Sequence, residues 1–399
     1  MTSLGKKTTF FAISISLVLV FAASATPIPL YSQYQKIYGV SYYELSLSSA
    51  VYFFGAVIAL VVFGRLSDSF GRRTISLISL LLSAAAMLVL LQVHSATPLL
   101  IGRLLQGLSC GLASTALTAW IIDSGNSFPA WIAPAVVSCG PMSGLTIGGL
   151  ISGALVEYGP LPRKIPFYLI LFLLALSVVM LAKARETIMR SNRCICSLAL
   201  LTPQFALPGE ARIAFPRASV TFVCTWALGG FFQAFGPAMA SEQLHSSNAV
   251  AAAMVFASIM APASIGAFLA GKMRALSAQR IGMLSFAISV LLLLSALHMH
   301  VLTTFLLFSI LAGIAQGMVL TGSIRTMVDK VHPKDRASVL SVIYATSYTG
   351  AAVPTLIAGY FSSELGLFSV ATGYGALALT GALLILILKP KKYPPQVSS

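Results

Sequence analysis

Gly64-Arg65-Leu66-Ser67-Asp68-Ser69-Phe70-Gly71-Arg72-Arg73 sets four charges and two glycines into ten residues. It interrupts two apolar runs, residues 45–63 and 74–93. Each run is close to the ~20 residues that a helix needs to cross a bilayer. Charges at membrane depth are costly, so the stretch reads as a tight turn between two membrane helices. Asp68 has Arg65, Arg72 and Arg73 within reach as partners. Gly64 and Gly71 permit a positive φ or a close backbone approach at the turn. Taken without its spacing, the stretch is a solvated loop whose arginines follow the positive-inside rule.

The rest of the chain bears out a membrane setting. Of 399 residues, 57% are hydrophobic and only 9% charged, against about 25% charged in soluble domains. Twelve apolar spans can be drawn: 9–30, 45–64, 74–94, 97–121, 131–156, 165–183, 217–240, 248–271, 280–298, 301–324, 337–361 and 367–388. No strand-type alternation runs through them, so the expected class is an all-α polytopic bundle and not a barrel. The apolar pattern breaks at 186–215, where arginines and prolines gather. This gives an N-terminal six-helix half over 1–185, a linker over 186–215, a C-terminal half over 216–390 and a short tail over 391–399.

The formal charge of +15 invites a nucleic-acid reading, but its distribution argues for topology. With the N-terminus in the cytoplasm, only Lys36, Arg163 and Lys164 fall in external turns and Arg103 falls within the fourth span. Every other Lys and Arg is then cytoplasmic, which is the positive-inside rule along the whole chain and places both termini inside. The partners expected are a lipid bilayer and a small-molecule substrate, with no nucleic acid. The start of the chain mimics a signal peptide, with Lys6 and Lys7 before an apolar run and Ala23-Ser24-Ala25 after it. Cleavage there would leave eleven spans and break the charge alternation, so the segment is expected to stay as the first helix.

Five cysteines make no disulfide framework. Cys110, Cys139 and Cys224 fall in apolar spans as small packing residues. Cys194 and Cys196 lie in the linker, where thiols stay reduced. No metal site, no cofactor and no catalytic constellation is expected. There is no phosphate-cradling glycine loop with a lysine, and no carboxylate pair at membrane depth.

The spacing Gly-x-Leu-x-Asp-x-x-Gly-Arg-Arg over residues 64–73 resembles the signature loop of the major facilitator superfamily of membrane transporters. The resemblance extends along the chain. Arg103-Leu104-Leu105-Gln106-Gly107 is similar to that family's motif in helix 4, and Glu186-Thr187 to its pattern after helix 6. It implies twelve helices in two pseudo-symmetric halves. It also implies a conformational latch and charge relay at the inner mouth, built from Gly64, Asp68, Gly71, Arg72, Arg73 and Asp123, whose cytoplasmic charge pairs break on opening inward. Asp68 would cap the start of helix 11. The halves themselves look duplicated: Gln106-Gly107 recurs as Gln316-Gly317, and Gly64 and Arg73 recur as Gly271 and Arg280. The acid is not repeated, since Ala275 stands where Asp68 would fall, and Gly313 stands where Arg103 would fall.

Arg103 is the one ionisable side chain that the sequence places clearly inside the hydrocarbon, a functional position by default. The alternative is an arginine that snorkels to the outer interface. Gly144, Gly148 and Gly149 in the fifth span suit close helix packing, and the stretch is only partly similar to the family's antiporter motif. Substrate or coupling candidates are Arg103, Gln106, Gln233, Gln316, Tyr344 and Tyr348. The two tyrosines can equally be packing residues.

The resemblance implies a monomeric secondary transporter in the bacterial cytoplasmic (inner) membrane. It would move a small organic solute by alternating access, as efflux, with protons as the coupling ion. None of the ten acids falls well inside a span, so coupling would need one near a helix end, such as Asp123 or Glu242. Two alternatives stand beside this: a facilitator or importer of a nutrient organic anion held by Arg103, and a non-transporting receptor on the same scaffold. No enzyme activity is expected.

Overall fold

The computed structural model describes residues 5–64, 66–187, 207–329, 331–332 and 335–388, and of residues 68, 210 and 337 it describes the backbone alone. Asp68 as a side chain, Cys194, Cys196 and the tail beyond 388 therefore lie outside the described residues. Everything regular in the described residues is helical. The first half has α1 Lys6–Ala25, α2 Tyr42–Phe63, α3 Arg72–Leu90, α4 Ala96–Ser124, α5 Ile132–Tyr158 and α6 Ile165–Ala182. The second has α7 Gly209–Ala238, α8 Ala249–Gly271 bent at Pro262, α9 Ala275–His298 and α10 Leu302–Val328.

The last helix, Arg336–Ile387, has 52 residues, about 78 Å of rise and more than twice a ~30 Å hydrocarbon core. It breaks at Gly366, whose φ of 74° and ψ of 158° only glycine adopts readily. The break makes α11 of residues 336–365 and α12 of residues 367–387. The twelve expected spans thus become twelve membrane-length helices, with differences at their ends. α1 stops at Ala25, because Pro27 and Pro29 turn the chain into a 3-10 segment, Ile28–Leu30, and a short helix, Tyr31–Tyr38. α7 begins at Gly209, before its apolar run, and continues past Ala238 as a π-turn, Met239–Gln243.

The face at which α1 begins and α12 ends is called here the terminal face, and the opposite one the far face. Within each half the middle helix packs tightly on two neighbours. A Cβ on Gly107 of α4 would overlap the Tyr52 carbonyl oxygen of α2, and one on Gly317 of α10 would overlap the Ala263 carbonyl oxygen of α8. Between halves the packing is crossed. α5 lays Gly144 and Gly148 against the backbone of α1, while Gly149 and Gly153 meet Phe256 and Ala253 of α8. α11 likewise lays Gly350 against Val223 of α7 and Gly359 against Ser46 of α2. Small residues at these points let backbones approach where lipid offers no hydrophobic drive between helices. Phe54, Phe172 and Leu383 face outward from the bundle, where apolar side chains meet lipid tails.

Candidate functional site

The centre of the first half is a polar knot that α4 ties to α1. Arg103 lies two turns from the far end of α4 and is fully buried. Its Nη1 donates to the Ser24 carbonyl and to Gln106 Oε1, each at 2.7 Å. Gln106 Nε2 donates onward to the Ala23 carbonyl at 2.8 Å. The guanidinium sits over the Tyr52 ring, 4.4 Å from its centroid. The carbonyls are open to side chains because the i+4 ladder of α1 ends here: Pro27 has no N–H to give Ala23, which accepts from the backbone only the Thr26 N–H at 3.3 Å, and the chain passes into the 3-10 segment at Ile28. A cation at membrane depth is thus met by carbonyl dipoles, a side-chain amide and a ring quadrupole instead of an acid. This burial excludes snorkelling. Arg103 Nε and Nη2 are buried with no hydrogen-bond partner.

Aromatic side chains extend from this knot across the halves. Tyr52 abuts Phe53, and Phe53 lies 5.9 Å from Tyr348 of α11. Tyr348 in turn packs on Trp226 of α7 at 4.8 Å and on Tyr344 at 6.4 Å. Tyr348 is buried and Tyr344 is 36% exposed, so the row runs from the core toward open space on the terminal side. Gln316 is buried beside Gly229 of α7, and its Oε1 has no partner. Gln233 is buried on α7 and joins none of these contacts.

The loop that opened the sequence reading lies at the terminal face. Leu66–Phe70 forms one helical turn, and Gly71 then takes φ 94°. Gly71 has a second constraint: a Cβ there would come within 2.6 Å of Glu186 Oε2. That carboxylate, from beyond α6, accepts the backbone N–H groups of Arg72 at 3.1 Å and Arg73 at 2.9 Å. It fills the role of a helix cap for α3, whose first amides have no other intrahelical partner. Gly64, by contrast, ends α2 with φ −57°, and a Cβ there would lie 3.4 Å from Thr115 Cγ2 of α4; of the two glycines only Gly71 takes a positive φ. Arg72 pairs with Asp123 of α4 at 3.3 Å and donates to Ser67 Oγ at 2.6 Å. Arg73 Nη1 reaches the Ala182 and Ala184 carbonyls at 3.4 Å.

These ties all stay within the first half. The described contacts between halves lie at mid-bundle or toward the far face. The Tyr42 hydroxyl hydrogen-bonds Glu242, Glu157 accepts the Ala249 N–H at 2.8 Å as a cap on α8, and Tyr42 meets Phe235. Arg72–Asp123 and the Glu186 contacts join elements of one half, unlike the cross-half contact expected of Asp68, whose side chain lies outside the described residues.

The structure thus brings Arg103 and Gln106 together, and Arg72 and Asp123. It leaves Gln233 apart. Sequence reading gave no role to Tyr52, to Ser24 or to Ser67, which stands at a variable position of the loop. Glu186 was visible as part of a pattern, but nothing in the sequence shows that it reaches Gly71.

A family model described as Major Facilitator Superfamily matches residues 13–193 and 219–399. The multidrug resistance protein MdtL of Klebsiella pneumoniae subsp. pneumoniae is 33% identical over 73 residues, 18% of this chain and 19% of that protein. The quinolone resistance protein NorA of Staphylococcus aureus is 24% identical over 222 residues, 55% of this chain and 56% of NorA. The chain therefore spans little more than half the length of these relatives at most. Among solved structures, a bacterial homologue of the human lysosomal transporter Spinster, in an inward-facing and unoccupied conformation, superposes with a TM-score of 0.73 at 16% identity. That match covers 96% of this chain and 95% of the homologue.

Proposed function

This chain belongs to the major facilitator superfamily, and from that premise we propose that it exports a small organic solute by alternating access, driven by protons. It is a multi-pass membrane transporter; the cargo, direction and coupling are the proposal. The observation that carries the mechanism is the division of contacts. The halves meet through the crossed pairs α2–α11 and α5–α8, whereas the polar ties of the terminal face hold each half together internally: Arg72–Asp123 and Glu186 in the first, and Arg325 of α10 on the Ala270 and Met273 carbonyls at the end of α8, each at 2.9 Å, in the second. Two internally braced bodies joined at mid-bundle can rock, opening one face as the other closes. Efflux is favoured by the likeness to MdtL and NorA, whose names record drug resistance.

In this reading Arg103 is a tie between α4 and α1, not an anchor for an anionic cargo. The aromatic row Tyr344–Tyr348–Trp226 offers a face for an apolar or aromatic solute. The charge pattern supports a bacterial inner-membrane location with the terminal face in the cytoplasm. A monomer suffices for the mechanism. Asp68 keeps its proposed place as the latch between the loop and α11. Protons would act through an end-of-helix acid, Asp123 or Glu242, since no described acid lies at the centre.

Everted vesicles test this. Energised with a proton gradient, they should accumulate a fluorescent lipophilic solute, and an uncoupler should abolish the uptake. Uptake only in right-side-out vesicles would sink export. Accumulation that survives the uncoupler would sink proton coupling. Labelling of Cys194 or Cys196 by an impermeant thiol reagent in intact cells would sink the orientation.

A further inference from the structure

A second buried arginine lies far from the central knot. Arg217 of α7 is 7% exposed. The sequence sets it at the cytoplasmic start of the seventh span, and the expectation that Arg103 is alone in the interior is corrected by it. Its Nη2 donates to the Ile385 carbonyl at 3.0 Å, in the last turn of α12. Its Nε and Nη1 are buried and have no partner. Arg280, on α9, lines the same seam, and its Nε is itself buried and unpartnered. Among the described residues no carboxylate pairs with either guanidinium.

The position is set by packing. One layer deeper, α7, α9 and α12 close on one another: a Cβ at Gly381 would lie 2.5 Å from Cys224 Sγ and 2.7 Å from Met283 Cε. Arg217 is two turns from Cys224, Arg280 one turn from Met283 and Ile385 one turn from Gly381, all toward the terminal face. The two arginines therefore occupy the mouth of a closed three-helix seam, at the level where a bilayer presents its headgroups. Two like charges in one seam repel, and a guanidinium taken out of water without a counter-charge carries a large desolvation penalty; among the described residues none supplies that counter-charge. Arg is suited to forked, two-point hydrogen bonding of phosphate oxygens.

We infer that Arg217 and Arg280 form a binding site for a phosphate-bearing anion at the terminal mouth of the α7–α9–α12 seam. Arg217 is the buried floor and the half-buried Arg280 the outer jaw. The anion turns their repulsion into two charge-assisted contacts and holds α12 to α7 and α9. Two sources share this chemistry: the headgroup of an anionic phospholipid in the adjacent leaflet, and free phosphate. The site is independent of which solute the protein moves.

The test uses purified full-length protein, delipidated in a nonionic detergent. It is titrated separately with phosphatidylglycerol, phosphatidylcholine and inorganic phosphate, and read by native mass spectrometry and thermal unfolding. Phosphatidylglycerol should be retained and should raise the unfolding temperature, whereas phosphatidylcholine should do neither. Arg280→Gln should weaken retention about five- to tenfold, as expected for one basic group at a membrane surface. Arg274→Gln removes an exposed cation from the same face and should leave retention unchanged. Stabilisation by inorganic phosphate, lost in Arg280→Gln, with no lipid retained, would keep the site and assign it to free anion. Equal behaviour of wild type and Arg280→Gln toward both probes, or an equal loss in Arg274→Gln, would overturn the site. Arg217→Met is the stronger variant, but it also removes the bond to Ile385, so Arg280→Gln decides the question if that variant fails to fold.

Discussion

Helices α4 and α10 carry the same Gln-Gly pair at equivalent places, and only one member of the pair does the same work twice. Gly107 and Gly317 each press a backbone against a carbonyl of the neighbouring helix. Gln106 is fully engaged, accepting from Arg103 and donating to Ala23. Gln316 keeps a buried carbonyl oxygen without a partner. Where α4 has Arg103, α10 has Gly313, which lies against the Ile259 carbonyl at 2.5 Å from where a Cβ would be. Close packing is thus duplicated and polar chemistry is not. One half is braced by a fixed polar knot, and the other holds an open hydrogen-bonding group at the same level.

The largest expected effect tests the duplicated part. Gly107→Ala and Gly317→Ala should each cost about 3 kcal/mol or more, at the upper end of overpacking costs, because the obstacle is backbone and cannot rotate away. Gly373→Ala, where nothing lies within 4 Å, should be neutral. Thermal unfolding in detergent gives the comparison. If Gly317→Ala is tolerated while Gly107→Ala is not, the scaffold is less symmetric than its packing.

Next comes the knot. Lysine keeps the charge of Arg103 but not the planar donors, and cannot reach Ser24 and Gln106 while lying flat on Tyr52. Arg103→Lys should lower stability by about 2 kcal/mol, the scale of a lost hydrogen bond to a charged group, and should reduce transport nearly as much as Arg103→Ala. Full transport by the lysine variant at equal protein level would remove Arg103 from the working parts.

The glutamines then separate the halves. Gln106→Leu should cost about 1–3 kcal/mol, since it removes a hydrogen bond to the buried Arg103 cation and one to the Ala23 carbonyl. Gln316→Leu should leave stability unchanged or raise it, because it removes an unpaired buried oxygen. If Gln316→Leu also abolishes transport, that oxygen faces the solute. If it changes neither property, the open group has no role in the cycle.

Much of this architecture is legible in the sequence because the bilayer makes it so. Twelve apolar runs must be twelve helices, and charges must sit at their ends or be specially housed. Arg103 stood out for that reason. Its housing did not, because backbone carbonyls such as that of Ser24 leave no mark in a sequence, and Tyr52 is one tyrosine among 13. Arg217 was hidden differently. Counted along the chain it is the first residue of the seventh span, next to a basic linker and expected at the cytoplasmic surface; α7 begins earlier, at Gly209, and carries Arg217 into the packed seam. The spans 337–361 and 367–388 leave the turn to residues 362–366, and what they do not show is that Gly366 alone makes it by its φ. Glu186 shows the limit most clearly: its reach to Gly71 spans more than a hundred residues of chain.

The smallest effect concerns that carboxylate and its missing counterpart. α3 begins at a glycine and receives its cap from Glu186, while α9, its equivalent in the second half, begins after Arg274 with no side-chain cap and no acid in its first turn. A cation at a helix N-terminus opposes the macrodipole, whereas a carboxylate favours it. Arg274 has the extended backbone of an N-cap, φ −63° and ψ 136°, the conformation from which Asp accepts the N–H of the second or third helical residue. Arg274→Asp should therefore stabilise the protein by about 0.5–1 kcal/mol. Glu186→Gln should cost a similar amount, because an amide keeps one acceptor but loses the charge that faces the amides of Arg72 and Arg73. Both changes should shrink as salt is raised, since both sites are partly open to solvent. Thermal unfolding at low and high ionic strength reads them together. If Arg274→Asp destabilises while Glu186→Gln costs as stated, the start of α9 needs its cation for something other than its helix, and the two halves differ in purpose there and not merely in finish.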